Sequence, residues 1–385
     1  MARSPSALEM LKWLRAQQRA MTRLLGHFVR AESPSYDKGA VDRFGGMVAT
    51  EWRRRGAKVT ILRRRERGNL VRAEWGARGG SARAQVLVLG HLDTVYEMGT
   101  IGRMPFRLAR GRAWGPGVFD MKGGLVIALF AADALAAAHH RPAKRVVFLW
   151  TSDEEIGSGA SRTVVEHEAR RSDAVLVLEP ASGQDGRVKT ARKGVGEFEL
   201  IATGRAAHAG LNPQEGVNAI QELALQIARV SQWNQPRRGI TVNAGVIEGG
   251  TRTNVIPARA RAMIDVRARN ARDMRALEHK FHALRPILPG AKIEVRGGFN
   301  RPPMERKASA ALYTKARGVA RELGIDLGED FVGGGSDGNF TAALGVPTLN
   351  GLGAVGEGAH SPSENIVLRA LPERAALLAA LLSVL

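Results

Sequence analysis

The sequence predicts an α/β protein: a sheet containing parallel strands, with helices on both faces, and an inserted β-α-β-β-α-β domain. Three observations predict it. The runs AQVLVLGH, KRVVFLWTSDE and DAVLVLEP are short and continuously apolar, as strands buried on both faces should be. They alternate with helix-like segments, and Ala-rich GGLVIALFAADALAAAHH lies between two of them. At 385 residues the chain also exceeds one ordinary core, so two domains are expected.

In chain order, ALEMLKWLRAQQRAMTRLLGHFVRA has helical spacing, and the basic N-terminal stretch MARSPSALEMLKWLRAQQRAM reads as an amphipathic helix. That stretch lacks an apolar core of signal-peptide length, so a cytoplasmic protein is expected. The three apolar runs and their helix follow. Near residue 193 the rhythm changes. GVGEFELIATG alternates apolar and polar, as a half-exposed strand does. NPQEGVNAIQELALQIARVSQW reads as a helix with Asn212 as N-cap and Pro213 at its first position. Strands ITVNAGVIEGG and ARARAMIDVRAR come next, then helix DMRALEHKFHALRPIL and strand AKIEVRGGF. This β-α-β-β-α-β order is that of a ferredoxin-like sandwich. From about 303 the alternating style returns, with a helix at 308–324, a glycine-rich turn, GVPTLNGLG and a closing helix. The predicted boundaries are therefore 1–192 with 303–385 for the larger domain and 193–302 for the insertion.

Composition narrows the chemistry. There is no cysteine, which excludes disulfides and thiolate metal sites. Any metal must be held by histidine and carboxylate. No stretch reaches the roughly 20 apolar residues of a membrane span. The net charge is +20, but the arginines are scattered and not interleaved with aromatics. A nucleic-acid or membrane partner is therefore not expected, and the charge serves solubility and the steering of anionic small substrates.

Candidate functional residues cluster at strand ends. GHLDTV places His91 and Asp93 on one side of an extended chain, because side chains two apart point the same way. Imidazole is a common zinc ligand, and a carboxylate behind it fixes its tautomer. The pair alone equally suits a hydrogen-bonded turn. GPGVFDMKGG sets Asp120 between glycines just before a helix, as a site residue or as an N-cap. It is not a phosphate loop, since Lys122 is followed by two glycines. TSDEEIGS brings Glu154 and Glu155 to a third strand end, where one acid can bind metal while the other moves a proton, or where both are solvated. Glu179 ends VLVLEP in the same manner. Ligands of open α/β sheets gather at such carboxyl ends. His360 and His208 are the histidines placed in glycine-rich loops.

GHLDTV, GPGVFDMKGG, TSDEEIGS, LEP and AHSPSE, in this order, resemble the dizinc amidohydrolases. That family is typified by glutamate carboxypeptidases, aminoacylases, acetylornithine deacetylases and succinyl-diaminopimelate desuccinylases. The resemblance covers nearly the whole chain and implies a zinc-peptidase-like catalytic domain with a mixed, partly parallel sheet, plus a dimerisation or lid domain at the insertion. It implies two zinc ions per chain, with cobalt or manganese as substitutes. Asp120 would bridge them; His91 and Glu179 would complete one site, Glu155 and His360 the other. Glu154 would be the general base and Asp93 the carboxylate behind His91. The Asp120–Met121 peptide would be cis. His208 would reach the partner subunit's active site in a homodimer and stabilise the oxyanion. Asn254, Arg267 and Arg301 would hold a substrate carboxylate, with Gly334 and Gly335 in a loop near the substrate tail. Arginine suits that task because its planar fork matches a carboxylate.

The form of GPGVFDMKGG and the short insertion look most like the glutamate-carboxypeptidase branch. That implies a small anionic acyl-amino-acid or peptide substrate and release of a C-terminal amino acid such as glutamate. A deacylase of N-acetyl or N-succinyl amino acids is the alternative.

Overall fold

The computed structural model describes residues 7–76 and 85–385, so the first six residues of the basic N-terminal stretch lie outside it. The chain forms two compact units. One contains the residues up to Ala191, Arg306–Phe331 and Ser336–Leu385; the other contains Arg192–Glu305 and Val332–Gly335.

The first unit is built on a six-stranded sheet in the order Lys58–Leu62, Leu70–Gly76, Arg145–Thr151, Gln85–His91, Ser172–Val177, Thr348–Leu349. The last four strands run parallel to one another, and the first two pair antiparallel. The sheet is therefore mixed. Every residue of Gln85–His91 is buried, which explains its unbroken apolar run. Val86 and Val88 join the core on one face; Leu87 and Leu89 join that on the other. Over the first face lies helix Gly123–Ala137, apolar almost all round, packed against the closing helix Ala370–Val384. Trp52 on helix Lys38–Arg54 covers Phe148 with ring centroids 4.0 Å apart. Helices Arg162–Arg170 and Gly338–Ala343 contribute Val165, Ala169 and Phe340 to the second face.

The N-terminal helix is two helices, Ala7–Ala16 and Gln18–Arg30, divided at Gln17. The division lets Leu14 and Met21, both fully buried, enter the same core.

The second unit has a four-stranded antiparallel sheet in the order Thr241–Gly249, Arg259–Ala268, Gly194–Thr203, Lys292–Arg301. Helix Ala219–Ser231 follows the first of these strands in sequence, and helix Ala271–His282 follows the third. This is the ferredoxin-like arrangement. Phe198 stacks on Phe281 at 4.1 Å to form its centre. Asn212 does not cap the helix, contrary to expectation. Pro213 opens only a short 3-10 turn, and Val217 then pairs with Arg205 in a bridge. The helix starts after that bridge, where the Asn218 side chain accepts from the Gln221 N–H at 3.1 Å.

Candidate metal centre

Three neighbouring parallel strands deliver the site. Strand Gln85–His91 ends on His91, which lies in register with Thr151. Beyond Thr151 the chain turns through Glu154–Ile156. Beyond Ser172–Val177 come Leu178 and Glu179. The carboxyl ends of adjacent strands thus set a histidine and three acids side by side. Asp120 comes from the kinked turn Val118–Lys122 that precedes helix Gly123–Ala137. Its peptide bond to Met121 is cis. His360 lies on the loop between strands Gly356–Glu357 and Asn365–Val367, at φ 61.

The side chains converge on two points. His91 Nε2 is 3.2 Å from Asp120 Oδ1 and 3.6 Å from Glu179 Oε1. His360 Nε2 is 3.3 Å from Asp120 Oδ2 and 3.2 Å from Glu155 Oε2. Asp120 therefore turns one oxygen to each histidine. Ligand atoms within each group lie within 4.8 Å of one another. The donors are imidazole nitrogen and carboxylate oxygen, a set that zinc accepts. Glu155 Oε1 is buried with no hydrogen-bond partner among the described residues, as an oxygen kept for a cation would be. The residues fit a pair of divalent ions sharing Asp120.

Asp93 meets His91 through both its backbone and its carboxylate. His91 Nδ1 meets the backbone carbonyl of Asp93 at 2.8 Å, whereas the nearer carboxylate oxygen is 3.6 Å away. The carbonyl is what fixes the ring with Nδ1–H donating and Nε2 turned to the centre. The buried carboxylate also accepts from Ser35 Oγ at 2.7 Å and from the N–H groups of Glu154 and Glu155, each at 3.2 Å. It thereby orders the acidic turn.

One contributor was not foreseen. Glu364 lies within AHSPSE, yet nothing about an acid four residues after His360 signals its role. Its buried carboxylate accepts from the N–H groups of Gly117 (2.9 Å), Phe119 (2.8 Å) and Asp120 (2.9 Å), and from Tyr96 Oη at 2.6 Å. It holds the glycine loop that presents Asp120. Gly117 is essential to that loop, since it adopts φ 70 and an added Cβ would meet Thr94 Cγ2 at 2.6 Å. Beneath the loop, Lys122 is buried and donates to the carbonyls of Phe28 (3.2 Å) and Ala31 (2.7 Å).

The electrostatics describe a hole for cations. Burial alone would lower the His91 pKa, but Asp120 and Asp93 hold it well above the usual value. Hydrogen bonds to Asp120 and Glu155 carry His360 up to about 10. Burial, with Asp120 nearby, raises Glu155 to about 7. Burial works to raise Asp120, yet the two histidines hold it well below the carboxylate range. In the metal-free chain, protons on the histidines stand where metals would be. Because both values are raised, each histidine holds its proton more firmly than a free imidazole and must give it up to become a ligand. Metal loading is therefore expected to release protons, and affinity to weaken as pH falls. Calorimetry in buffers of different ionisation enthalpy counts those protons. A count near zero would remove the histidines from the ligand set.

The second unit groups the remaining candidates. His208 bridges Val255, and the Ala209 N–H donates to the Asn254 carbonyl at 2.9 Å, so His208 and Asn254 lie on paired loops. His208 Nδ1 accepts from the N–H groups of Gly210 (3.1 Å) and Leu211 (3.0 Å), which leaves Nε2 as the protonated, donating nitrogen. Arg267 already pairs with both Asp265 oxygens, at 3.0 and 3.1 Å, and donates to the Gly333 carbonyl at 2.9 Å. Arg192 donates to the carbonyls of Gly334 and Gly335, both at 3.0 Å. Arg301 is buried, and a Cβ on Gly335 would lie 2.8 Å from its Cδ. The three arginines and the glycine loop thus form one patch, with loop carbonyls bound to Arg267 and Arg192.

Known proteins share this organisation. The profile of peptidase family M20/M25/M40 matches residues 87–384. Carboxypeptidase G2 of Pseudomonas sp. strain RS-16 is 31% identical over 370 residues, covering 93% of this chain and 87% of that protein. Succinyl-diaminopimelate desuccinylase of Dechloromonas aromatica is 29% identical over 324 residues, covering 79% of this chain and 84% of that protein. In fold, the chain is similar to aminopeptidase PepT of Bacillus cereus, with a TM-score of 0.78 at 22% identity over 95% of this chain and 98% of that one. With a profile match over most of its length and a relative aligned nearly end to end, the chain belongs to peptidase family M20/M25/M40 and is a hydrolytic enzyme.

Proposed function

We propose that the chain is a dinuclear zinc hydrolase that cleaves an amide beside a free carboxylate, releasing a C-terminal amino acid, with glutamate the first candidate. The observation that carries this reading is Asp120, whose two oxygens each face one histidine of a separate ligand group. His91, Asp120 and Glu179 would hold one metal; Asp120, Glu155 and His360 would hold the other. When bound, the two ions supply Lewis acidity to the scissile carbonyl and make an attacking water acidic. Glu154 takes the proton of that water and delivers it to the leaving amine. Its place is held by Asp93, which accepts from its N–H.

His208 donates through Nε2 to the developing oxyanion, from the partner subunit of a homodimer. Supporting such a dimer, strand Thr241–Gly249 lies at the edge of its sheet and exposes Val246 and Ile247, while the neighbouring helix exposes Ile220 and Leu225. Asn254, Arg267 and Arg301 bind the substrate carboxylate, Arg267 by exchanging Asp265 for it. Gly334 and Gly335 shape the same patch. The likeness to a desuccinylase favours deacylation of N-acyl amino acids as the second reading.

The test is a panel of N-acyl amino acids and dipeptides, scored by release of free amino acid. Zinc-loaded protein should cleave members with a free C-terminal carboxylate and spare their amidated counterparts. Cobalt or manganese should restore activity after chelation. Equal cleavage of amidated substrates would remove the carboxypeptidase reading.

A further inference from the structure

We infer that Asp337 is a positioning residue for the proposed general base, because it fastens both ends of the acidic turn that carries Glu154 and Glu155. The inference rests on the roles proposed above for those two acids. Asp337 follows the glycine loop directly, in GGGSDG, and stands at the N-cap of helix Gly338–Ala343. An aspartate there ordinarily accepts from an N–H of its own helix. The side chain of Asp337 makes no such capping bond. It is buried, and its carboxylate accepts from Thr151 Oγ1 at 2.9 Å through Oδ2 and from Ser158 Oγ through Oδ1. An ionised carboxylate only accepts, so it obliges both hydroxyls to donate and thereby orients both of their residues.

Those two hydroxyls bracket the turn. Thr151 closes strand Arg145–Thr151, in register with His91. Ser158 lies on the far side, where its N–H donates to the Asp153 carbonyl at 2.7 Å. It adopts φ 61, a conformation costly to a residue with a side chain and kept only where the surroundings impose it. Between them the regular structure is a single 3-10 turn, Glu154–Ile156, too short to fix its own side chains. Asp93 grips the middle of the turn through the N–H groups of Glu154 and Glu155, each at 3.2 Å. Asp337 grips its ends. The anchor is itself tied down elsewhere. Ser336 Oγ accepts from the Asn350 side chain at 2.7 Å and from the Gly338 N–H at 3.2 Å, while the Ser336 N–H donates to Asn339 Oδ1 at 2.9 Å. A Cβ on Gly338 would lie 2.8 Å from Asn350 Nδ2, so the backbone beside Asp337 has little room to shift.

The experiment uses the full chain at saturating zinc, with N-acetylglutamate as substrate. Asp337→Asn keeps the shape but leaves one accepting oxygen where there were two. It should fold and hold both metals, yet lose about 10- to 100-fold in kcat with KM little changed, the scale of a misplaced reacting group. Thr151→Val combined with Ser158→Ala removes the same contacts from the other side and should give the same loss. Adding Asp337→Asn to that pair should cost little more, since the three residues act through one set of contacts. Near-native kcat in Asp337→Asn overturns the inference. So does a loss confined to the amount of folded protein, with kcat per metal-loaded chain unchanged, which leaves Asp337 a role in stability alone. A rise in KM at unchanged kcat overturns it in favour of the glycine loop. If the unaltered chain cleaves neither this compound nor any member of the panel above, the hydrolytic reading fails instead. Hydrogen exchange on the metal-free chain then reads the contact without turnover. Asp337→Asn should speed exchange of the Glu154 and Glu155 amides and leave strand Gln85–His91 as it was; unchanged exchange at the turn overturns the inference.

Discussion

Glu154→Gln is expected to keep its metals and lose about 100-fold or more in kcat, the usual scale of a general base. Gln preserves the shape of the side chain and cannot accept the proton. The backbone that places it is independent of the substitution, because Asp93 accepts from the N–H groups of residues 154 and 155. The neighbouring acids are poor substitutes. Asp153 is buried, and one of its oxygens accepts from the Ala160 N–H at 2.6 Å, tied into its own turn. Glu155 faces His360 at 3.2 Å and belongs to a ligand group. Glu155→Gln should therefore behave differently. It removes a charged ligand from the group it shares with Asp120, so metal content should fall before turnover of any remaining loaded protein does. Metal analysis beside single-turnover rates separates the two effects. Near-native turnover of Glu154→Gln would place the base elsewhere, and undiminished metal content in Glu155→Gln would free that acid from the ligand set.

Legibility in the sequence followed from how local each signal was. His91, Asp120, Glu155, Glu179 and His360 each sit in a short motif at the end of an apolar run or in a glycine-rich loop. A parallel sheet brings such ends together whatever the details of the packing. Glu364 escaped notice because its partners, Gly117, Phe119 and Asp120, lie more than 240 residues upstream. No periodicity or spacing connects them. Asp93 is marked in the sequence by its carboxylate, but its closest contact with His91 is made by its carbonyl, a group every residue carries. The pairing of Arg267 with Asp265 was hidden for a related reason. Two residues apart on one strand, they share a face, but only the folded geometry shows that the guanidinium is already satisfied. The helix start was misplaced because Asn212, followed by Pro213, reads as a cap, whereas Asn218 is the residue that caps it. The Val217–Arg205 bridge decides between them, and it is a tertiary contact.

His208→Ala should fold, dimerise and hold its metals, yet lose roughly 100- to 1,000-fold in turnover, as loss of one oxyanion donor does. The ring lies on an exposed loop in a unit that contains none of the proposed ligands, so its removal leaves them untouched. Its Nδ1 is occupied by the N–H groups of Gly210 and Leu211, so donation to a substrate falls to Nε2. Whether it serves its own chain or its partner is decided by complementation. Chains carrying Glu154→Gln are mixed with chains carrying His208→Ala, each inactive alone, and allowed to exchange subunits. If His208 acts across the interface, the His208→Ala chain supplies an intact base and receives the histidine of its partner. That site works, while the other site of the same heterodimer carries both lesions. Activity should therefore return to half the sites of each heterodimer. If His208 serves its own chain, every site keeps one lesion and no activity returns. Heterodimers verified by native mass spectrometry but still inactive would assign the histidine to its own subunit or to no catalytic role.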